Sequence, residues 1–137
     1  MNQTQGSQDL GKAILRIVLG VLVLLHGISK LIAGPAFVIQ VVAKAGLPEF
    51  LAYGVYIGEV LAPILLIVGF WTRPAALIVA INMIVALLLV HAGQFGQMAD
   101  TGGWALELQA MYLAAAIAVA LLGAGRPSVG GAGGKWN

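Results

Sequence analysis

Four apolar runs, about Lys12–Ile32, Leu51–Phe70, Pro74–His91 and Trp104–Leu122, leave a chain of 137 residues few folds to choose from. Each approaches the ~20 residues that cross ~30 Å of hydrocarbon. In that medium every backbone amide must find its partner inside the protein, so segments of this kind cross as helices. Composition agrees. Some 61% of the residues are hydrophobic and 9% are charged, whereas a soluble domain carries roughly 25% charged residues. The sequence predicts an all-α integral membrane protein, a four-helix bundle in contact with the lipid bilayer.

The breaks between runs are marked. Ala33-Gly34-Pro35 ends the first, and Gly46-Leu47-Pro48 precedes the second. Trp71–Pro74 is a tight turn, with Pro74 opening the third helix at a favoured position. Gly93–Gly103 separates the third from the fourth. Between the first two runs, Ala36–Ala45 is apolar but too short to cross, and it reads as a short interfacial or re-entrant helix. Three parts follow: a polar N-terminal tail (1–11), a transmembrane domain (12–123) and a glycine-rich C-terminal tail (124–137) that reads as mobile. The first apolar run lacks a small-residue cleavage site, so no cleaved signal peptide is expected. Lys12, Arg73, Arg126 and Lys135 share one side with both termini, against Lys30 and Lys44 on the other. That bias predicts a multi-pass protein with both termini in the cytoplasm.

Within this apolar frame, Glu59 stands out. A carboxylate at the centre of a membrane helix costs from about 2.5 kcal/mol upward, so it should face inward and have a partner. At ~1.5 Å per residue, Glu59 lies roughly 12 Å and His26 roughly 9 Å below the same outer boundary, with Lys30 and Glu107 within about one turn of it. On the first helix Arg16, Gly20, His26, Gly27 and Lys30 fit an arc of roughly 120°. Glu59 shares a face with Tyr56 and Pro63, and the proline frees the carbonyl of Glu59 four residues back, predicting a kink there. Glu107 shares a face with Ala110, Ala114 and Ala118, a small-residue packing stripe. The candidate site is therefore a buried polar cluster of His26, Lys30, Glu59 and Glu107 in the outer half of the bilayer. The alternative is that these groups are ion pairs that only join helices.

Other polar residues read as structural. Arg16, about one turn inside the opposite boundary, either snorkels to headgroups or pairs within the bundle. Arg73 is an anchor in its turn. Asn82, near the midplane, shares a face with Ala75, Ala86 and Gly93 and should bond across helices. His91 falls on the face of a regular helix opposite Asn82. That argues against its joining the site, and against a b-type haem held between His26 and His91. Trp71, Trp104, Tyr53 and Tyr112 read as interfacial aromatics. Cysteine is absent, which excludes disulfides, thiol catalysis, cysteine-ligated iron–sulfur clusters and covalently attached haem. No metal site is expected. The net charge is +2, with no basic patch, so nucleic acid is not an expected partner.

The pattern Arg16-xxx-Gly20, His26-Gly27-xx-Lys30, Gly58-Glu59, Gly69-Phe70-Trp71-Thr72-Arg73 and Asn82-Met83 resembles the DoxX family. Glu107 opening the last helix and Gly123-Ala124-Gly125-Arg126-Pro127-Ser128 closing it fit as well, so the resemblance covers essentially Gly11–Val129. It implies a small four-helix protein of the bacterial inner (plasma) membrane. It also implies association with redox systems, including the DoxD-type membrane subunits of thiosulfate:quinone oxidoreductases. The family's recurring positions fall on Arg16, Gly20, Gly27, Lys30, Glu59, Arg73 and Glu107. The chain lacks the extra domains and cysteines of a complete oxidoreductase, so it is expected to serve as a subunit and not to catalyse alone. Two readings result. In the first it is a quinone-interacting subunit in which Glu59, Lys30, His26 and Glu107 relay protons or touch the quinone, with Tyr56 beside His26, Lys30 and Glu59. In the second it is a non-catalytic anchor or assembly module for a partner oxidoreductase. A homo-oligomer is compatible with either.

Overall fold

The computed structural model describes residues 2–131 and 133–137. The segments 1–11 and 124–137 therefore include two residues, Met1 and Ala132, that lie outside the described residues. Five helices organise the rest: α1 (Gln3–Ala33), α2 (Ala36–Lys44), α3 (Glu49–Val68), α4 (Thr72–Leu89) and α5 (Glu107–Leu122). α1, α3 and α4 are long and apolar enough to cross a membrane, and α5 is a shorter apolar helix of 16 residues. α1 packs on α3 and α5, and α4 packs on the same two helices, so the four close into a ring.

Small side chains set the spacing. Ala75, Ala76, Val79, Ala80 and Met83 of α4 meet Tyr112, Ala116 and Val119 of α5 in one core with Leu19, Val23, Ala62 and Leu66. Outside that core the bundle exposes a belt of large apolar residues, among them Ile32, Ile81, Leu88, Met111 and Leu121. Such a surface far exceeds what a soluble monomer presents, and lipid is its natural solvent. The chain is an integral membrane protein.

α1 is longer than the apolar run alone predicts. It begins at Gln3, where the Asn2 side chain accepts from the Gln5 amide at 2.8 Å and caps the helix. The polar residues before Lys12 are thus helical. α5 begins at Glu107 and not at Trp104, because the preceding segment folds on itself. Ala105 donates to the Gln97 carbonyl at 3.0 Å, Ala99 donates to Gly103 at 2.6 Å, and Trp104 donates from its indole to Phe95 at 2.8 Å.

The C-terminal tail, expected to be mobile, is folded against the end of the bundle where α1 begins. Asn137 is buried, and its Oδ1 accepts from the Thr72 amide at 3.1 Å and the Thr72 hydroxyl at 2.7 Å. It supplies from a distance the cap that Trp71 cannot give to α4. Trp71 itself is the one non-glycine residue with positive φ among those described (φ 49°), a strain imposed by the short α3–α4 turn. Glycine composition signalled flexibility; the side-chain bonds that Asn137 donates to Ser128 and to the Gly131 carbonyl, and that Ser128 donates to the Gly125 carbonyl, override it.

α3 is the irregular helix. It opens with a 3₁₀ segment (Glu49–Tyr53), passes through a π turn (Ile57–Leu61) and returns to α geometry at Ala62–Val68. Pro63 explains the π turn. It has no amide hydrogen to offer the Glu59 carbonyl, so the ladder widens, and the Ala62 amide reaches back to Ile57 instead.

Candidate functional site

The widened turn aims Glu59 inward. Its carboxylate is 4% exposed and accepts from two neighbours. Lys30 Nζ, from the last turn of α1, donates to Oε2 at 2.5 Å. Asn82 Nδ2, from α4, donates to Oε1 at 3.0 Å. Three helices therefore meet at one carboxylate. Two glycines make room for that meeting. A β-carbon on Gly27 would overlap the Glu59 carbonyl oxygen, so the hydrogen in its place points at the very oxygen that Pro63 leaves free. A β-carbon on Gly58 would sit 2.7 Å from the Asn82 side chain.

The pair Lys30–Glu59 separates two cavities. The larger, about 690 Å³, lies between α2, α3 and α4. Its walls are apolar (Phe37, Val41, Leu51, Val85 among them), and its polar end is formed by Lys30, Glu59 and Asn82. α2 roofs it by packing on the 3₁₀ segment at the start of α3. The smaller, about 80 Å³, lies on the other side of the pair, lined by His26, Lys30, Glu59, His91, Gln109 and Tyr112 among others. Lys30 is more open than its partner, with its side chain 32% exposed against 5% for Glu59.

The candidates named from sequence distribute unevenly. Lys30 and Glu59 are in contact. His26 reaches the smaller cavity only; its Nδ1 lies 3.0 Å from the Leu22 carbonyl on its own helix, and its ring meets Tyr112 edge-on at 5.7 Å. Tyr56 lines neither cavity, and its hydroxyl donates to the Lys30 carbonyl at 3.4 Å, steadying the end of α1. Glu107 is not brought to the cluster. It is exposed, against Gly103, at the first position of α5, where the helix N-terminus itself favours a carboxylate. The inward face of α5 is Tyr112, Ala116 and Val119, not the alanine stripe that Glu107 begins. Among the described residues, no three His, Asp or Glu side chains converge as metal ligands would.

Two residues join the site that periodicity had set aside or passed over. His91 borders both cavities. The helical angle that turned it away does not apply, because α4 ends at Leu89 and His91 has left the helical path (φ −109°, ψ 10°). Its Nδ1 lies 2.8 Å from Gln94 Oε1, and its Nε2 lies 3.5 Å from Gln109 Nε2. Gln109 itself carried no signal beyond being an amide in an apolar helix. Both histidines thus face the smaller cavity.

Arg16 and Arg73 are structural, at the opposite end. Arg16 is 1% exposed and donates to four carbonyls: Ala124 at 3.0 Å, Leu66 at 2.8 Å, Ile67 at 2.7 Å, and Pro127. Two of these are last-turn carbonyls of α3, whose negative dipole end balances the guanidinium. Arg73 does the same for α5, donating to Ala120 at 2.9 Å and Leu121 at 2.7 Å. Neither snorkels to headgroups.

Comparison with known proteins adds the following. The family model described as DoxX matches residues 11–92, which include Arg16, Gly27, Lys30, Glu59, Asn82 and His91. The Bacillus subtilis protein named "Putative oxidoreductase CatD" is 32% identical over 84 residues, 61% of this chain. The match spans 62% of that protein's own length. An uncharacterized protein of Haemophilus influenzae is 32% identical over 117 residues, 82% of this chain and 86% of that protein. No solved structure matches.

Proposed function

This chain belongs to the DoxX family, and from that premise we propose that it is a multi-pass, quinone-interacting subunit of a membrane oxidoreductase complex. The observation that carries this reading is the apolar cavity of about 690 Å³ that ends on Lys30, Glu59 and Asn82. A quinone needs an apolar slot for its ring and tail, a donor for a carbonyl oxygen, and a source of protons on reduction. Lys30 meets the second need: its ammonium has three hydrogens, and Glu59 engages one of them. Glu59 meets the third. Full reduction adds two electrons and two protons to the ring; the electrons come from the reduced cofactor of a partner subunit, and this chain holds and moves the protons. The start of α1 and the C-terminal segment lie at the Arg16 end with Lys12, Arg73 and Arg126, and the positive-inside rule puts that end in the cytoplasm. The site then opens in the outer half of a bacterial inner membrane.

A second reading, a non-catalytic anchor, has one observation in its favour: Arg16 is a buried charge with a purely architectural task. The Lys30–Glu59 pair could be another. Titration of the detergent-purified protein with a short-chain ubiquinone separates the two. Glu59→Gln and Lys30→Ala are each expected to weaken binding by at least about tenfold, the equivalent of one charge-assisted hydrogen bond. Unchanged affinity in both variants, with thermal unfolding intact, leaves the anchor reading standing.

A further inference from the structure

The smaller cavity has a character of its own. The larger one is a slot for an apolar molecule; this one mixes His26, Lys30, Glu59, His91, Gln109 and Tyr112 with the apolar Val23, Met83, Ala86 and Leu108. A water molecule needs about 10–15 Å³ of such space and two to four polar partners. The chamber, at about 80 Å³, therefore has room and partners for several. Gln109 Oε1 is buried and has no hydrogen-bond partner within the protein, so it awaits a donor from the chamber. His91 stands at the junction with the loop end of the bundle, where residues 92–98 are exposed.

We propose that this chamber is a water-filled inlet that carries protons from the loop end to the Lys30–Glu59 pair, with His91 as the relay at its mouth. The purpose assigned to it rests on the quinone reading above; the presence of water does not. Gln94 Oε1 can only accept, so His91 carries its hydrogen on Nδ1, which leaves Nε2 bare toward Gln109 and the chamber. A solvent proton adds to Nε2. The Gln109 amide then turns so that its unpartnered oxygen accepts from the new N–H. Passing that proton through chamber water to the Glu59 carboxylate restores neutral His91 and leaves a carboxyl group facing the larger cavity. The groups facing His91 suit this traffic: Lys30 and His26 from α1, Glu59 from α3, and Gln109 and Tyr112 from α5.

The natural absence of cysteine makes a direct test possible. Gln109→Cys and His91→Cys each place one thiol in the chamber, and Met111→Cys places one on the exposed apolar face of α5. Membrane vesicles carrying each variant are treated from either side with a trimethylammonioethyl methanethiosulfonate, whose permanent charge keeps it from crossing the bilayer and which modifies only thiolates in contact with water. At least one chamber thiol is expected to react about tenfold faster than Met111→Cys, and faster from the loop side, because an apolar setting suppresses the reactive thiolate. Chamber thiols as inert as the lipid-facing one mean a dry cavity and overturn the proposal, while leaving quinone binding in the larger cavity untouched. The relay has its own readout. On chemical reduction of bound quinone, proton uptake followed with a pH dye is expected to slow about a hundredfold in His91→Phe, the lower end for loss of a positioned proton carrier. Uptake at the original rate removes His91 from the path.

Discussion

At the scale of single residues, the molecule uses buried charge in two different ways. Glu59 is answered by another charge and an amide, and one of its partners stays half open to a cavity. Arg16 is answered by four carbonyls and is sealed. Arg16→Met leaves those acceptors without a donor at about 1–3 kcal/mol each, so the variant is expected to unfold in mild detergent. Arg16→Lys has three hydrogens for four carbonyls and should fold with a clearly lower melting temperature. Gly27→Ala is expected to lower stability by about 1–3 kcal/mol by pushing α1 off the Glu59 carbonyl. Gly11→Ala on the same helix meets nothing and should gain up to about 1 kcal/mol. Equal melting temperatures for the two glycine variants would falsify the close approach. Of these residues, Glu59, Lys30 and Gly27 were legible in the sequence, because charge or missing bulk in an apolar helix has few explanations. Asn82 was read as bonding inward across helices, but its partner was not, since rotation alone gives a face and no partner. Glu107 misled for the same reason: it has the right depth and the wrong azimuth.

At the scale of elements, the decisive piece is the π turn of α3. Pro63 announced that the Glu59 carbonyl would be free, and the sequence supported a kink there. The extra residue in the turn, which sets where Glu59 points, has no such signature. Pro63→Ala returns an amide hydrogen to the ladder. The variant is expected to keep or raise its melting temperature, as α3 regains a regular turn, and, on the quinone reading proposed above, to bind quinone at least about tenfold more weakly as Glu59 swings away from Lys30 and Asn82. A calorimetric scan and a ligand titration on the same sample check both halves. His91 was lost to view through an element boundary. Its angle from Asn82 was computed along a helix that stops at Leu89, and boundaries are what periodicity fixes least well.

At the scale of the whole molecule, an apolar middle is closed by a polar layer at each end, one for architecture and one around the cavities. Four helices and the short α2 were legible, because the bilayer sets their length and apolar character together. The folding back of the C-terminal tail was not, since glycine-rich sequence signals freedom and the restraint comes from distant partners. Asn137→Ala removes the cap that the tail lends to α4 and is expected to cost about 0.5–2 kcal/mol, read as a lower melting temperature. An unchanged melting temperature would mean that the tail is passenger and not clasp. The Arg16 shell also carries a consequence for biosynthesis. Its last acceptor, on Pro127, is separated from it by 111 positions of chain. When α1 emerges from the ribosome, the guanidinium has none of its eventual carbonyls: those of Leu66 and Ile67 follow 50 and 51 positions later, those of Ala124 and Pro127 only 108 and 111 positions later. The first helix to be synthesised is therefore expected to gain half of this shell with α3 and to complete it only when the C-terminal segment folds back.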